Sequence, residues 1–398
     1  METYEVGPLA GEAEVDAAAR VLAVSFAVPD AESRGWLADR LGLANVRVVR
    51  AHGAVNGALA LVPMGQFFGG RSVPCAGVVA VGVPPEARGR GAAQALMRGV
   101  LEELRGRGVA LSALYPANQA LYRGVGYEAA GDRFELRLAP AAVAPADRAL
   151  ALRPARDDDV PAVKAAYRRW AAARDGQLDR GDYIWGRVLS LRKPGGAWEP
   201  ARGYLVEGAG GALEGYVYHG VRATEGGHWH MTVTDAVALT PAAGRRLLTF
   251  FADQRPICET VVWHGAAGDT LTALLPEQTV QVKLFLRWAL RVVDVKVALE
   301  ARGWPAGAAG ELHFDVRDAA LPANAGRWRL RVEGGAATVS PGGEGRVTLD
   351  VRGLAALYSG YLSPVVLAAA GLLSAPDADL ARAATLFAGP APAMTDSF

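Results

Sequence analysis

The stretch VGVPPEARGRGAAQAL, residues 81–96, combines positive charge with small side chains where an apolar strand gives way to a helix. The first turn of a helix binds anions through its free N–H groups and its dipole, provided that no side chain blocks the approach. Glycine leaves that approach open. The run therefore predicts a site for phosphate oxygens, and the alternative is a solvated helix start after a turn. Its candidate residues are Arg88, Gly89, Arg90, Gly91, Ala92, Ala93 and Gln94.

Two well-known anion-binding loops do not match this run. It lacks the Gly-Lys-Ser/Thr ending of a P-loop. Gln94 stands where a dinucleotide-binding Gly-x-Gly-x-x-Gly motif needs its third glycine, which weakens that interpretation. The residues fit better a pyrophosphate that is held after a strand whose edge remains free.

The elements around this run alternate between strands and helices. A helix is expected from about Gly11, and a second helix after Gly91, where apolar residues recur at helical spacing. Strand patterns occur at residues 4–6, 46–49, 58–63, 78–83 and 109–114. This order predicts an α/β layered domain over residues 1–139.

Beyond a Pro/Ala-rich linker at residues 140–147, the same order of elements begins again. Residues 152–167 repeat the strand, proline, acidic turn and helix found near the N-terminus. Residues 237–251 can be laid over the stretch that contains the phosphate site. We therefore expect an internal repeat of the whole domain, covering residues 150–287.

The second copy is expected to be degenerate at the phosphate site. Matching Pro241 to Pro85 puts Leu247 at the position of Gly91. A leucine side chain there would occupy the volume that a phosphate needs. The overlay therefore predicts one phosphate site per chain, in the first copy.

The pattern changes again at about Trp288. Three segments alternate strictly between apolar and polar residues, as half-buried strands do, and two apolar helical segments follow. The strands are predicted at residues 312–316, 328–332 and 346–351, and the helices at 354–362 and 365–373. We expect a compact α+β domain over residues 288–398 with one solvated sheet face.

The composition limits the classes of function. The 398 residues suffice for two or three domains, and the net charge of +1 gives no support for nucleic-acid binding. Cys75 and Cys258 lie far apart without partners at metal-ligand spacing, which fits a reducing compartment. The acidic N-terminus does not resemble a signal peptide, and the longest apolar run is too short to cross a bilayer. We therefore expect a soluble cytoplasmic protein that does not insert into membranes.

Two motifs resemble the GNAT superfamily of N-acetyltransferases. Arg88-x-x-Gly91-x-Ala93, between a strand and a helix, is similar to that family's Arg/Gln-x-x-Gly-x-Gly/Ala signature for acetyl-CoA. LYRGVGY, residues 121–127, is close to the family's short helix with a tyrosine followed by Gly-aromatic/Val-Gly-Tyr/Phe. The whole chain resembles the enhanced intracellular survival (Eis) group. Those proteins carry two tandem GNAT units, the second degenerate, and then a sterol-carrier-protein-like domain.

The resemblance implies where the coenzyme binds. Main-chain groups at the strand end would hold the pantetheine arm as an added strand does. The loop and the first helical turn would hold the pyrophosphate, and the start of the short helix would border the coenzyme. The residues so implied are, in that order, Val81, Gly82 and Val83, then Arg88 to Gln94, then Ala117 and Asn118.

The resemblance also implies the catalytic residues. Tyr122 would be the general acid that protonates the departing thiolate, and the terminal carboxylate of Phe398 would be the general base. Phe26 and Trp36 would line the acceptor pocket. By residue type alone, Tyr122, Phe26 and Trp36 are equally typical of a hydrophobic core, and a chain end is usually frayed.

The activity that follows is direct transfer of acetyl from acetyl-CoA to a primary amine. A base must remove a proton from the amine, and an acid within hydrogen-bond reach helps the thiolate to leave. Neither step needs a metal. A small polyamine-like acceptor such as an aminoglycoside is expected, while a protein lysine, or a non-catalytic ligand-, lipid- or partner-binding role, remains an alternative. The resemblance further implies a homo-oligomer, a hexamer.

Overall fold

A computed structural model of the chain describes residues 3–143, 146–192 and 198–398. Of the predicted linker, residues 144 and 145 lie outside this part. The strands are β1 Glu5–Pro8, β2 Val46–Ala51, β3 Ala54–Phe68, β4 Arg71–Gly82, β5 Leu111–Leu114, β6 Glu128–Leu138, β7 Ala151–Pro154, β8 Leu178–Asp179, β9 Ser190–Arg192, β10 Trp198–Pro200, β11 Arg202–Glu207, β12 Leu213–Ala223, β13 Trp229–Ala238, β14 Cys258–Gly265, β15 Gln281–Val292, β16 Gly310–Arg317, β17 Gly326–Glu333, β18 Ala336–Pro341, β19 Val347–Asp350 and β20 Leu373–Ser374. The helices are α1 Glu12–Phe26, α2 Asp30–Gly35, α3 Ala92–Gly106, α4 Gln119–Arg123, α5 Val160–Ala172, α6 Asp182–Val188, α7 Pro241–Ala252, α8 Thr270–Ala273, α9 Val295–Ala301, α10 Val351–Ser359, α11 Pro364–Ala369 and α12 Asp377–Leu386.

The chain divides into two compact units. The first consists of Met1–Gly131, Arg287–Pro392 and Phe398, and the second of Asp132–Leu286 and Ala393–Ser397. The third region predicted from the sequence thus shares a unit with the first region. The last residue belongs to a different unit from the five residues before it.

The first unit contains a sheet with the strand order β1-β2-β3-β4-β5-β15. Its neighbours are antiparallel except for β4 and β5, which run parallel because α3 returns the chain between them. The hairpin between β3 and β4 turns at Gly69 and Gly70, whose φ angles of 58° and 83° glycine adopts at low cost. Helix α1 packs against β3 and β4, and α3 packs against β1, β2 and β3.

Helix α3 forms where its apolar spacing predicts it. It is capped at its N-terminus by Gly91. Its buried residues are Ala92, Leu96, Met97, Val100, Leu101 and Leu104, and they share a core cluster with Leu59, Leu61 and Val78 of the sheet. Each large apolar side chain that is fully buried contributes about 1.5–3 kcal/mol. Several such contacts fix the helix, and with it the position of its N-terminus.

The rest of the first unit is a five-stranded sheet, in the order β18-β17-β16-β19-β20, with helices α9 to α12. The alternating segments form β16, β17 and β19, and the apolar segments form α10 and α11, as predicted. On β17, Leu330 and Val332 are buried while Arg329 and Arg331 are exposed, so one face of the sheet meets solvent. No helix in the described ranges is long and apolar enough to cross a membrane.

The second unit contains the strand order β6-β14-β13-β12-β11-β7. Again one pair is parallel, β13 with β14, and α7 connects the two. Helix α7 supplies Leu247, Leu248, Phe250 and Phe251 to the core of this unit. The arrangement of β13, α7 and β14 repeats that of β4, α3 and β5, which agrees with the internal repeat read from the sequence.

Candidate active site

Strands β4 and β5 part in the middle of the first unit's sheet. Register pairs join them from Cys75 to Gly77, whereas β4 continues to Gly82. Over residues 78–82 of the described chain, no residue of β4 is paired with β5. This edge of β4 is therefore open to an added extended chain. A bulge lies in the same stretch, where Ala80 has a φ of 53° and the register against β3 shifts. Bulges re-aim the end of a strand and often lie next to active sites.

Residues 83–91 connect β4 to α3 and leave the helix start uncovered. A Cβ atom built at Gly89 or Gly91 would meet nothing within 4 Å, and both residues have positive φ, 74° and 93°. The first bond of the helix runs from the Ala95 N–H to the Gly91 carbonyl (2.9 Å). The N–H groups of residues 92–94, in the first turn of the helix, therefore have no hydrogen-bond acceptor in the described chain. The space, the free donors and the helix dipole fit a pyrophosphate.

Each of the two loop arginines takes part in a hydrogen bond, Arg88 through its side chain and Arg90 through its main-chain carbonyl. The Arg88 Nε donates to the Val83 carbonyl (3.0 Å), and the Tyr4 hydroxyl donates to the Arg90 carbonyl (3.1 Å). Both arginines are exposed, and neither forms an ion pair within the described residues. Their charges are therefore available to an anion.

The C-terminal end of α4 lies beside the first turn of α3, which directly follows residues 83–91, called the phosphate loop below. The Asn118 Oδ1 caps α4 by accepting from the N–H groups of the second and third residues after it (3.1 and 3.3 Å). Ala117, before the cap, is exposed. The Gln94 Nε2 lies 3.5 Å from a Cβ position built at Gly124. The structure therefore brings the first turn of α3 beside the helix that carries Tyr122.

Tyr122 and Tyr127 pack together but have different partners. The Tyr127 hydroxyl is bonded to the Ser112 Oγ (2.7 Å), which donates to the Ala76 carbonyl (3.0 Å). Tyr122 is 8% exposed and packs edge-on against Tyr127, with centroids 6.1 Å apart. No described residue is hydrogen-bonded to the Tyr122 hydroxyl. Burial raises the pKa of Tyr122 above its usual value near 10, so the hydroxyl stays protonated and free to donate at neutral pH.

The last residue of the chain packs where β4 and β5 part. A Cβ atom built at Gly77 would lie 2.9 Å from the Phe398 ring, so a side chain at position 77 would displace that ring. The ring centroid is 5.7 Å from that of Tyr115, which follows β5. The Phe398 ring is therefore packed against β4 at the point where the two strands diverge.

The residues before Phe398 are bound within the second unit. Asp396, 3% exposed, accepts from the Arg180 Nε (3.0 Å), and the same guanidinium bonds Asp235 at 2.6 and 2.9 Å. The Arg187 Nε donates to the Ser397 carbonyl (3.1 Å). Breaking a buried pair such as that of Asp396 costs about 3–5 kcal/mol, because the remaining charge stays buried without compensation. The tail is thus held firmly.

The second unit lacks the phosphate loop, but not for the reason predicted. Only two residues separate the end of β13 from Pro241, the first residue of α7, whereas nine residues separate β4 from α3. The counterpart of Gly91 is therefore the N-cap Thr240, whose Oγ1 accepts from the Ala243 N–H (3.2 Å). Leu247 lies in the second turn of α7, inside the core. The overlay that put Leu247 opposite Gly91 was wrong, because matching the prolines ignored the shorter connection.

A cavity nevertheless remains where β13 and β14 part. Register pairs between them end at Thr232 and Val262, and the cavity beyond has a volume of about 240 Å³. Trp170, Trp198 and Trp263 are among the residues that line it. The second unit thus keeps the parting strands of this fold without the loop that would hold a pyrophosphate.

The two residues predicted for the acceptor pocket lie at opposite ends of the segment that contains α2. Phe26 ends α1 and is 51% exposed, while Trp36 begins the π-helical turn after α2 and is half-buried. The Ser25 Oγ lies 2.7 Å from a Cβ position built at Gly82, so the end of α1 reaches the end of β4. The contact to β4 is made by Ser25, the residue before Phe26, while Trp36 lies on the turn after α2.

Sequence reasoning missed three residues of this region, Gly77, Tyr115 and Glu128. A glycine inside a strand pattern often marks the close approach of another group, so Gly77 carried a usable signal. Tyr115 and Glu128 belong to no local motif. Their roles depend on Phe398 and Arg352, which are distant in sequence.

Three family models match the chain. A model of an acetyltransferase (GNAT) domain matches residues 8–130, and a second acetyltransferase (GNAT) domain model matches residues 176–292. A sterol carrier protein domain model matches residues 295–395.

Relatives and solved structures show the same likeness over long stretches. An uncharacterized N-acetyltransferase from Streptomyces avermitilis is 32% identical over 329 residues, which cover 76% of each chain. A GCN5-related N-acetyltransferase from Anabaena variabilis superposes on 100% of both chains with a TM-score of 0.92 at 34% identity. Eis1 from Mycobacterium abscessus superposes on 100% of both chains with a TM-score of 0.78 at 24% identity, a likeness of fold.

Proposed function

The chain belongs to the GCN5-related N-acetyltransferase (GNAT) family, with two GNAT domains before a sterol-carrier-protein-like domain as in the Eis group, and we propose that it acetylates primary amines of a small polyamine-like acceptor. GNAT acetyltransferases use acetyl-CoA, which supplies the acetyl group as a thioester. The free N–H groups of residues 92–94 would hold its pyrophosphate, assisted by Arg88 and Arg90. The open edge of β4 at Val81, together with Val83 directly after the strand, would pair with its pantetheine arm.

Tyr122 is the general acid of the proposed reaction. Attack by the amine on the thioester carbonyl breaks the C–S bond, and the sulfur leaves as a thiolate that needs a proton. The Tyr122 hydroxyl is protonated and has no competing partner among the described residues. Tyr127 is less suited, because its hydroxyl is engaged with Ser112.

The terminal carboxylate of Phe398 is the general base of the proposed reaction. The packing of its ring against Gly77, where β4 leaves β5, is the observation that carries this proposal. The carboxylate would attract the incoming ammonium group and accept its proton, directly or through water. An α-carboxyl has a pKa of about 3.5 in water, and burial would raise it towards a better match with an amine. An aminoglycoside, which carries several primary amines, is the acceptor that the Eis resemblance favours.

A one-residue extension tests this proposal. Adding glycine after Phe398 moves the carboxylate by about 3.3–3.6 Å and leaves a neutral amide in its place. General base catalysis contributes about 10²–10⁴-fold, so turnover should fall by that factor while coenzyme affinity and melting temperature stay unchanged. The matched control is a glycine added before Met1, which should leave turnover intact. An extended enzyme that is as fast as the control would exclude the terminal carboxylate as the base.

A panel of acceptors tests the substrate class. Release of free thiol would be followed with an aminoglycoside, a linear polyamine and a lysine-containing peptide at equal amine concentration. We expect the multiply charged small amines to have the higher kcat/KM. A preference for the peptide would contradict the proposed substrate class. If none of the three acceptors caused release of free thiol, transfer to an amine would be contradicted.

A further inference from the structure

The turn that follows α4 contains a buried carboxylate between two arginines. Glu128 is 4% exposed. Arg123, on α4, donates to its Oε1 from Nε (3.1 Å) and Nη2 (2.7 Å), and the Ala129 N–H donates to the same oxygen (3.0 Å). Arg352 donates to its Oε2 from Nε (3.0 Å) and Nη2 (2.6 Å). Burial alone would raise the pKa of Glu128, but the bonds from the two arginines outweigh it and lower the pKa, so the carboxylate is charged.

Arg352 comes from the sterol-carrier-protein-like domain, at the first turn of α10. The Asp350 side chain caps that helix by accepting from the N–H groups of Arg352 (3.0 Å) and Gly353 (2.9 Å). Asp350 in turn ends β19, which pairs with β16 inside the domain's sheet. The guanidinium that binds Glu128 is therefore attached to a rigid element.

The same domain supports the middle of the turn. Gly126 has a φ of 90°, and a Cβ atom built there would lie 2.7 Å from Val351 and 2.9 Å from the Arg291 guanidinium. Arg291 is fully buried and donates to Asp318 (2.6 Å). The turn from Tyr122 to Glu128 thus rests directly on side chains of β15 and α10 and has no room for displacement towards them.

We propose that the sterol-carrier-protein-like domain positions the catalytic turn, with Arg352 and Glu128 as the residues that hold Tyr122 in place. This inference rests on the proposed function, since it takes Tyr122 as the general acid. Helix α4 has five residues, and a helix that short depends on outside contacts for its stability. The pair between Arg352 and Glu128, together with the bonds from Arg123, connects α4 to a folded domain. The domain then has a role in catalysis that needs no lipid ligand.

The substitution that tests this inference is Arg352→Met, which keeps the apolar stem and removes both bonds to Glu128. Arg123 and Ala129 still satisfy the other carboxylate oxygen, so the chain should fold. A displacement of about 1 Å at a catalytic group can cost about 10²-fold in rate, and we expect kcat to fall by roughly 10–10²-fold. The KM for acetyl-CoA should hardly change, because the phosphate loop lies on another element. Glu128→Gln should also lower kcat, because an amide nitrogen cannot accept from one of the two guanidinium groups, and Arg352→Lys should retain more of the rate than Arg352→Met.

The matched control is Arg331→Met. Arg331 lies on β17 of the same domain and pairs with Glu333 at the surface, where both side chains are more than 60% exposed. This variant should leave kcat unchanged. Melting temperatures of all variants show whether any loss of rate reflects unfolding.

A double-mutant cycle decides whether Arg352 acts through Tyr122. If it does, Arg352→Met should lower kcat in the native background and have little further effect when Tyr122→Phe is already present. The alkaline limb of the kcat profile should also move to lower pH in Arg352→Met, because a looser turn exposes Tyr122 to water and removes the burial that raises its pKa.

The outcomes separate the inference from the proposed function. If Tyr122→Phe lowers kcat and Arg352→Met does not, the positioning role is wrong and the general acid stands. If both lower kcat and their effects add, Arg352 acts elsewhere and the inference is likewise wrong. If Tyr122→Phe leaves kcat unchanged, the proposed acid is wrong and the inference falls with it.

Discussion

Substitution of Gly91 separates the backbone conformation of the phosphate loop from its binding function. Gly91 has a φ of 93° in open space, so an added Cβ meets no atom of the protein. A residue other than glycine in a left-handed conformation costs about 1–2 kcal/mol. For a unit of this size each kcal/mol lowers the melting temperature by about 2–4 °C, so a fall of roughly 2–8 °C is expected. Gly91→Ala and Gly91→Leu should share this fall.

The two variants should differ in coenzyme binding. The leucine side chain would cover the free N–H groups of residues 92–94, whereas the alanine methyl group would leave most of that space open. Each hydrogen bond to a charged phosphate is worth about 1.5–3 kcal/mol. Loss of two such bonds therefore amounts to about 3–6 kcal/mol, or roughly 10²–10⁴-fold in Kd. Gly91→Ala should lose much less.

Titration calorimetry with CoA, together with thermal melting, measures both effects. The native chain should bind one CoA, because the two-residue connection before α7 leaves no phosphate loop in the second unit. Gly91→Leu should show almost no heat of binding at concentrations that saturate Gly91→Ala. Equal affinity of the two variants would refute the assignment of the loop, and two equivalent sites in the native chain would refute the argument about the second unit.

Two further predictions concern single aromatic residues. Tyr122→Phe should lower kcat by about 10²–10⁴-fold with no change in melting temperature. Tyr127→Phe, which loses the buried bond to Ser112, should mainly lower the melting temperature. Thiol-release kinetics and calorimetry measure both effects, and equal losses of kcat in the two variants would contradict the assignment of Tyr122. Burial lowers the pKa of His219 from 6.5 to about 4, so the unfolded state binds more protons between these values and stability is lost as the pH falls from 6.5 to 4. The full shift corresponds to about 3 kcal/mol. In unfolding measurements His219→Phe should remove this share of the pH dependence and leave the share of His264, whose pKa burial also lowers to about 4. An unchanged acid limb would mean that His219 does not contribute to it.

Local sequence patterns determined the elements that carry the site. The apolar spacing after Gly91 places α3, because a helix of this length must bury one face on the sheet. Glycine at positions 89 and 91 leaves the helix start open, since only a residue without a Cβ adopts those φ angles freely and clears the space. The strict alternation of residues 328–332 likewise predicts β17, whose two faces meet different environments.

The internal repeat shows where pattern matching failed. The sequence predicted a second copy of the fold, and the family models confirm two acetyltransferase domains. The alignment of Leu247 with Gly91 was wrong, because a proline can begin a helix as well as lie in the loop before one. Only the structure shows that Pro241 is the first residue of α7 and that the phosphate loop is missing there.

Tertiary structure alone decided which distant residues meet at the site. Glu128 and Arg352 are 224 residues apart, and Asp396 and Arg180 are 216 apart, so no local pattern relates them. The same holds for Phe398, whose ring has a place only because β4 carries glycine at position 77 and parts from β5 there. Helices and strands follow from the period of a few neighbouring residues, whereas the pairing of charges and rings depends on how completed elements pack. The sequence could therefore indicate the proposed acid, the proposed base and the proposed phosphate loop, but not which distant residues contact them.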